Sequence, residues 1–207
     1  TRLAMSRHTP PRLNSLAFDE TKLSAAGFQV PLNGRNVTLP DGRIVEDGAL
    51  FHKNFLTDTA NRKYIKKANI RALIPCGGFK DTINSSNVKL FTEVFGELEF
   101  IVEGANVFFD DGARRYIASH TGIKQIKDST ANKGGVFSSS ISEVLTAFLL
   151  QDEYEKKLVN NNKNMWALIK EVLSLVDRYA RIETRLLLEL NEADPDIPLF
   201  DLSEKTS

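Results

Sequence analysis

The spacing of apolar positions changes character twice along the chain. Up to about residue 60 it is irregular and favours short extended runs. Phe28 to Leu32 is a strand candidate. Val37-Thr38-Leu39, Pro40-Asp41-Gly42 and Arg43-Ile44-Val45 together predict a β-hairpin, because Asp-Gly supplies the positive-φ positions that a tight turn needs. No chemistry stands out in residues 1–60, which read as a β-rich lead-in or insertion that packs on a neighbour.

From residue 57 helices alternate with short apolar strands. Thr57 or Asp58 is placed to cap a helix running to about Lys67. Arg71-Ala72-Leu73-Ile74 predicts a buried strand broken by Pro75. Ser85 or Ser86 starts a helix whose apolar positions Val88, Phe91, Val94 and Phe95 recur at helical spacing, with Gly96 at its end. Glu99 to Val102 is a second strand. Asp110 or Asp111 caps a helix through about Ser119, Gly122 stops it, and Ile123 to Ile126 is a third strand. Strands alternating with helices predict βαβ units and a parallel sheet, with right-handed crossovers.

After Gly134-Gly135 the pattern is helical throughout. Ser140 or Ser142 opens a helix through Leu150, and a long helix covers about Asn162 to Leu190. Trp166, Ile169, Leu173, Val176, Tyr179, Ile182 and Leu186 form an apolar stripe on it, expected to be a core or domain-contact face. Asp194-Pro195-Asp196 ends that helix, and the polar segment to Ser207 is expected to be a loose tail. The fold class is therefore α/β. Residues 1–60 are the lead-in, 61–150 hold the parallel sheet, 151–195 are C-terminal helices and 196–207 the tail.

Composition narrows the chemistry. The 207 residues are 42% hydrophobic and 26% charged, with 27 Lys+Arg against 27 Asp+Glu. That is an ordinary globular balance with no basic excess, which argues against a nucleic-acid partner. Cys76 is the single cysteine, so an internal disulfide or Cys-based zinc cluster is ruled out. His8, His52 and His120 are far apart, and no apolar run approaches the roughly 18 residues of a membrane span. Thr1-Arg2-Leu3-Ala4 shows no signal pattern, and a start without methionine suggests part of a longer product. The sequons at Asn36 and Asn84 read as chance matches in an intracellular protein, cytoplasmic or mitochondrial.

Ligands of an open parallel sheet bind beyond the carboxyl ends of its strands. Three segments rich in Gly and small polar residues occupy those places: Pro75-Cys76-Gly77-Gly78, Glu103-Gly104-Ala105-Asn106, and Asp128 through Gly135. Such residues let a ligand approach the backbone, although turns use them too. Three at successive strand ends signal a nucleotide-type cleft. Cys76 has no neighbouring His or base in sequence, and a thiol buried there is inert. Glu103 reads as a structural hydrogen-bonding carboxylate rather than a general base. Asn106 and Asn132 fit either a ligand or loop backbone groups. No G-x-G-x-x-G phosphate loop is found, since Gly27, Gly34, Gly42 and Gly48 are dispersed.

Taken together, Ile74-Pro75-Cys76-Gly77-Gly78, Val102-Glu103-Gly104-Ala105-Asn106 and Asn132-Lys133-Gly134-Gly135-Val136-Phe137-Ser138-Ser139 resemble the closing part of the glutamate, leucine, phenylalanine and valine dehydrogenase superfamily, over about residues 65–150. Lys127 through Val136, with the serine run after it, and Phe18 through Phe28 point to the large NAD-specific glutamate dehydrogenases within it.

The resemblance implies the C-terminal half of a Rossmann-like NAD-binding domain, in an oxidoreductase that converts L-glutamate to 2-oxoglutarate and ammonia. Cys76, Gly77 and Gly78 would run beside the adenosine end of NAD and Asn106 near the nicotinamide half. Asn132 would face the meeting place of cofactor and substrate, and Ser139 would bind the substrate's side-chain carboxylate, with Ser138 and Ser140 as alternative registers. Lys133 departs from the small residue usual there in smaller relatives and reads as a subclass feature.

The family's catalytic Lys and Asp are expected upstream of Thr1, so no catalytic residue is assigned here. The implied partners are the remainder of the same enzyme chain and further copies in a homo-oligomer. Two other classes remain open: a non-catalytic regulatory or assembly module, and another doubly wound enzyme such as a methyltransferase.

Overall fold

A computed structural model describes residues 29–77, 79–147 and 151–206. Gly78, the stretch Phe18 to Phe28 and the expected helix end at Leu150 lie outside the described residues. The chain divides into two compact units.

The first unit comprises the chain up to Arg71 together with Ser86–Glu97. Strands β1 (Arg35–Thr38) and β2 (Ile44–Asp47) pair antiparallel with Val37 opposite Val45, as the hairpin pattern predicts, and Gly42 takes φ +83° in the turn. The expected strand over Phe28 to Leu32 does not form in its described part. Residues 29–34 are loop and turn, in which the Gly34 N–H reaches the Pro31 carbonyl at 2.9 Å. Helix α1 (Gly48–Asn54) stands within the stretch expected to be irregular and β-rich. Asp47 caps it by accepting the Leu50 N–H at 3.1 Å, and Phe51 anchors it in a core of Val30, Leu39, Val45, Phe55 and Tyr64.

Asp58 accepts the Ala60 N–H at 3.0 Å and so opens the short turn that leads into α2 (Arg62–Lys67). Helix α3 (Val88–Val94) buries Val88, Phe91 and Val94 as its period predicts, but its capping position is Asn87 rather than Ser85 or Ser86. Ser85 belongs to the other unit, where its N–H and hydroxyl both donate to Asp110 at 3.1 and 3.3 Å.

The second unit comprises Ala72–Ser85 and Leu98–Ser207. It carries the parallel sheet that the alternating pattern predicts, in the order β3 (Ala72–Leu73), β4 (Phe100–Val102), β5 (Lys124–Ile126). Strand β3 at the sheet edge is not the buried strand expected, since Ala72 and Ile74 are exposed. Leu73 lies opposite Ile101, and Ile101 opposite Gln125. A parallel bridge between Ile83 and Phe109, both fully buried, adds to its core. Between β4 and β5 runs α4 (Asp111–His120), capped by Asp110, which accepts the Ala113 N–H at 2.6 Å. Such a cap contributes about 1 kcal/mol. Helix α4 packs against β5, burying Ala113, Arg114 and Ile117.

Beyond β5 the observed order departs from the expected one. A single turn, α5 (Asp128–Ala131), follows the strand directly, and α6 (Lys133–Ala147) begins at once. The serine run therefore lies inside a helix and does not start one, and the third glycine-bearing segment is mostly helical. Two glycines near a helix start weaken it by about 1 kcal/mol each, but packing outweighs that here. A Cβ on Gly134 would come within 3.2 Å of Val176 Cγ1, so glycine lets α6 approach α8 (Asn162–Ala193) closely. Phe137 touches Tyr179 at 5.4 Å between ring centroids, and Lys133 pairs with Glu183 at 2.6 Å. A short helix α7 (Gln151–Tyr154) and one π turn (Glu155–Val159) lead into α8.

Helix α8 reaches the expected length, but the named stripe is not its buried face. Val172 and Leu187 are buried, whereas Trp166, Leu173, Tyr179 and Ile182 are more than half exposed. Positions three or four apart drift around a straight helix over many turns. The contacts with α6 and, near the C-terminal end, with the last helix cover one side only. The loose tail expected after Asp196 is instead helix α9 (Leu199–Lys205). Leu199 and Leu202 enter a core with Ile126 and Leu187. Apolar positions 199, 200 and 202 fold the segment back, although its remaining residues are polar.

Candidate functional site

All described candidate residues fall in the second unit. Beyond β3 the chain passes through Pro75 to Cys76 and Gly77. Cys76 is exposed, not buried as expected, and its thiol donates to the Ile74 carbonyl at 3.5 Å. Gly77 has open space where a Cβ would stand. The loop beyond β4 lies against this one. The Ala105 N–H donates to the Pro75 carbonyl at 2.7 Å. A Cβ on Gly104 would come within 3.1 Å of the Pro75 oxygen and 3.4 Å of Cys76 Sγ, so the lack of a side chain permits the approach.

The loops beyond β4 and β5 are joined by their asparagines. The Asn132 side-chain amide donates to the Asn106 side-chain carbonyl. Asn106 is exposed and Asn132 half-buried, which leaves amide and carbonyl groups of the pair accessible to a ligand. Ser139 lies further along α6, about 9 Å of helical rise past Lys133. Its hydroxyl donates to the Val136 carbonyl at 3.0 Å, the bond a serine inside a helix commonly makes. The structure thus brings Asn106 to Asn132 and Cys76 to Gly104, and places Ser139 on the helix that follows.

Beneath these loops lies a buried ionic group. Glu103 is 0% exposed and Arg114 2%. Arg114 Nε and Nη2 donate to the two Glu103 oxygens at 2.9 and 2.7 Å, and Gln125 Nε2 donates to Oε1 at 2.9 Å. Burial pushes the Glu103 carboxyl up from its usual range, against the pull of the Arg114 guanidinium and the Gln125 amide. Burial opposes the charge on Arg114, but the Glu103 carboxylate outweighs it and holds that guanidinium above its usual range. Sealed from solvent and committed to three donors, Glu103 is a structural carboxylate, as its place in the motif suggests.

Asp128 sits between this group and the asparagines. Its Oδ1 lies 3.9 Å from Arg114 Nη2, and its Oδ2 accepts the Val107 N–H at 2.6 Å. Val107 has φ +52°, a left-handed backbone that a β-branched residue adopts only when its surroundings impose it, at a cost of roughly 1–3 kcal/mol. Its carbonyl accepts the Asp81 N–H at 2.7 Å. Neither Arg114 nor Asp128 carries a signal in sequence that separates it from an ordinary surface charge on a helix, except that Asp128 opens the segment containing Asn132. Among the described residues no group of His, Cys, Asp and Glu is arranged to hold a metal ion. No described helix is long and apolar enough to cross a membrane.

Comparison with known proteins gives these positions a context. The family model for glutamate/leucine/phenylalanine/valine dehydrogenase matches residues 41–187, a wider stretch than the motifs alone mark out. Glutamate dehydrogenase 2 of Dictyostelium discoideum is 38% identical over 184 residues, covering 85% of this chain and 17% of that protein. The NAD-specific glutamate dehydrogenase of Saccharomyces cerevisiae is 36% identical over 184 residues, covering 84% of this chain and 16% of the relative. A probable NAD-specific glutamate dehydrogenase of Schizosaccharomyces pombe is 34% identical over 197 residues, or 92% of this chain and 17% of the relative. The chain thus spans about a sixth of the length of these relatives. With the family model matching well over half of its residues, the chain belongs to the glutamate/leucine/phenylalanine/valine dehydrogenase family.

Proposed function

We propose that this chain is part of an NAD-dependent glutamate dehydrogenase, which oxidatively deaminates L-glutamate to 2-oxoglutarate and ammonia. Its parallel sheet is the C-terminal half of a Rossmann-like NAD-binding domain, completed by the remainder of the enzyme chain in a homo-oligomer. Membership of the family supports an amino-acid dehydrogenase, and the names of the relatives support glutamate and NAD.

The observation that carries the reading is the Asn106–Asn132 pair beyond the ends of adjacent parallel strands. That is where an open α/β sheet receives its ligand. Asn presents both a donor and an acceptor, the set that complements a carboxamide such as that of nicotinamide. Open space at Gly77 and the exposed Cys76 leave room for the other end of a dinucleotide beside β3. NAD, when bound, supplies the hydride-accepting chemistry. In this reading Asn106 and Asn132 orient the nicotinamide amide, Asn132 also faces the bound substrate, Cys76, Gly77 and Gly78 line the adenosine side, and Ser139 donates to the distal carboxylate of glutamate.

Asn132→Ala in the enzyme containing this chain tests the reading, with NADH formation from glutamate as the readout. Loss of an oriented hydrogen bond at the reacting ring should lower kcat/KM by roughly 10- to 100-fold. Unchanged kinetics for both Asn132→Ala and Asn106→Ala would refute it.

A further inference from the structure

Asn106 and Asn132 meet although they come from different strand ends, and one residue reaches both of their loops. The Asp128 side chain accepts the N–H of Val107, the residue directly after Asn106, at 2.6 Å. The Asp128 backbone carbonyl accepts the N–H of Asn132 itself at 3.1 Å. Its other side-chain oxygen takes the Ser129 N–H at 2.9 Å and faces Arg114 Nη2 at 3.9 Å. The same guanidinium is anchored on the buried Glu103, which begins the Glu103–Asn106 loop.

We infer that Asp128, held by Arg114, is a positioning residue that sets the Asn106–Asn132 pair for the nicotinamide ring. The inference rests on the proposed function, since it assumes that the pair faces the cofactor.

Three features carry it. First, Val107 holds a left-handed backbone at φ +52° that its branched side chain disfavours, so something outside the residue must keep it there. The carboxylate on its N–H is one such restraint, and a charge-assisted bond is among the stronger ones available. Second, the charge that Asp128 faces at 3.9 Å is held in place, because Arg114 is fixed by two bonds to Glu103 and one to Asp111 at 2.8 Å. Third, releasing Val107 frees Asn106 at the adjoining peptide, whereas the backbone bond from Asp128 to Asn132 survives a side-chain change. Loss of the carboxylate therefore moves one asparagine relative to the other. A misplacement of about 1 Å at a reacting centre is enough to lower turnover by about two decades.

The test uses Asp128→Ala and Asp128→Asn in the enzyme containing this chain, measured beside Asn106→Ala and the double variant. Asp128→Ala should lower kcat by about 10- to 100-fold, with a much smaller change in the KM for glutamate. Asp128→Asn, whose side-chain oxygen can still accept the Val107 N–H, should recover a large part of that loss. A structural role alone would not give this rescue together with a selective fall in kcat. Adding Asp128→Ala to Asn106→Ala should cost little further activity, because both changes act on the same group. Hydrogen exchange at the Val107 amide should be faster in Asp128→Ala than in the unmodified enzyme. Normal kcat in Asp128→Ala, additive losses in the double variant, or an unchanged Val107 exchange rate would each overturn the inference. If Asn106→Ala and Asn132→Ala are both kinetically silent, the proposed function fails instead, and the exchange rate still reports on the clamp. Should Asp128→Ala fail to fold, Asp128→Leu, of similar volume but with no acceptor for the Val107 N–H, must show faster exchange and a fall in kcat, and normal values of both would refute the idea.

Discussion

Arg114 lays two parallel N–H groups on Glu103, at 2.9 and 2.7 Å, with both side chains closed off from water. Removing one member of such a pair strands the other as a buried charge, which typically costs about 3–5 kcal/mol. Arg114→Met should therefore destabilise the folded protein by roughly that amount in urea unfolding. Adding Glu103→Leu should recover much of the loss, since a pair of apolar residues of similar size leaves no stranded charge. A single variant within 1 kcal/mol of the unmodified protein would show the pair to be far better solvated than its geometry indicates.

Ser139 offers a second test, in catalysis. A hydroxyl donating to the distal carboxylate of glutamate makes a charge-assisted bond worth about 1.5–3 kcal/mol. In the enzyme containing this chain, Ser139→Ala should lower kcat/KM for glutamate by roughly one to two decades. Discrimination against norvaline, which lacks that carboxylate, should shrink. Ser138→Ala and Ser140→Ala fix the register, because the serine run lies within α6 and successive residues point about 100° apart. A larger effect at a neighbour would move the assignment by one. Three silent variants would leave the run a helical surface only.

Acid should act on the hairpin of the first unit. Bonding to the Lys63 ammonium and to Tyr64 holds the Asp41 carboxyl well below its usual range. The unfolded carboxyl titrates near 3.8. The contribution of Asp41 is therefore fully present above that pH and is lost as pH falls through the lower, folded value. Tyr64 behaves in the opposite sense. Burial first, then the hydrogen bond to Asp41 and its charge, push its phenol up to about 12, so its contribution is present below pH 10 and is lost as pH rises through the folded value. Asp41→Asn should flatten the acid limb of stability measured by circular dichroism and bring the Tyr64 absorbance titration towards lower pH. An acid limb that is unchanged in the variant would assign the sensitivity to other carboxylates.

Purified residues 1–207 should bind NAD weakly and form no NADH from glutamate. They contain no glycine-rich phosphate loop, and catalytic Lys and Asp residues are not assigned among them. Saturable NADH formation by this polypeptide would contradict the placement of the sheet as half of a larger nucleotide-binding domain.

The hairpin, the parallel strands and the helix capped by Asp110 were legible because their signals are local, whereas helix α1 with its Asp47 cap was not read. The Asp110 cap, the Val88–Phe91–Val94 period and the Asp-Gly hairpin turn each depend on residues close in sequence. What could not be read depends on distant partners. Helix α6 can pack closely on α8 because a Cβ at 134 would come within 3.2 Å of Val176 Cγ1, more than 40 positions away. Leu199 and Leu202 turn a polar tail into a helix because Ile126 and Leu187 offer them a surface. In the site, Asn106 and Asn132 could be named from their motifs. Asp128 lay in the same motif, but its bond to the Val107 N–H spans 21 positions, and nothing about an aspartate at a strand end announces it.

Helix α8 has a mechanical consequence. Its 32 residues make a rod about 48 Å long at 1.5 Å per residue. Midway along, Val176 and Tyr179 meet α6 at Gly134 and Phe137, and nearer its end Leu187 joins the buried cluster that holds Ile126 of β5 together with Leu199 and Leu202 of α9. A stiff beam fastened at two points ties the position of α6 to that of the sheet. The serine-bearing helix and the last strand thus share one support, so a change in packing along the rod bears on both.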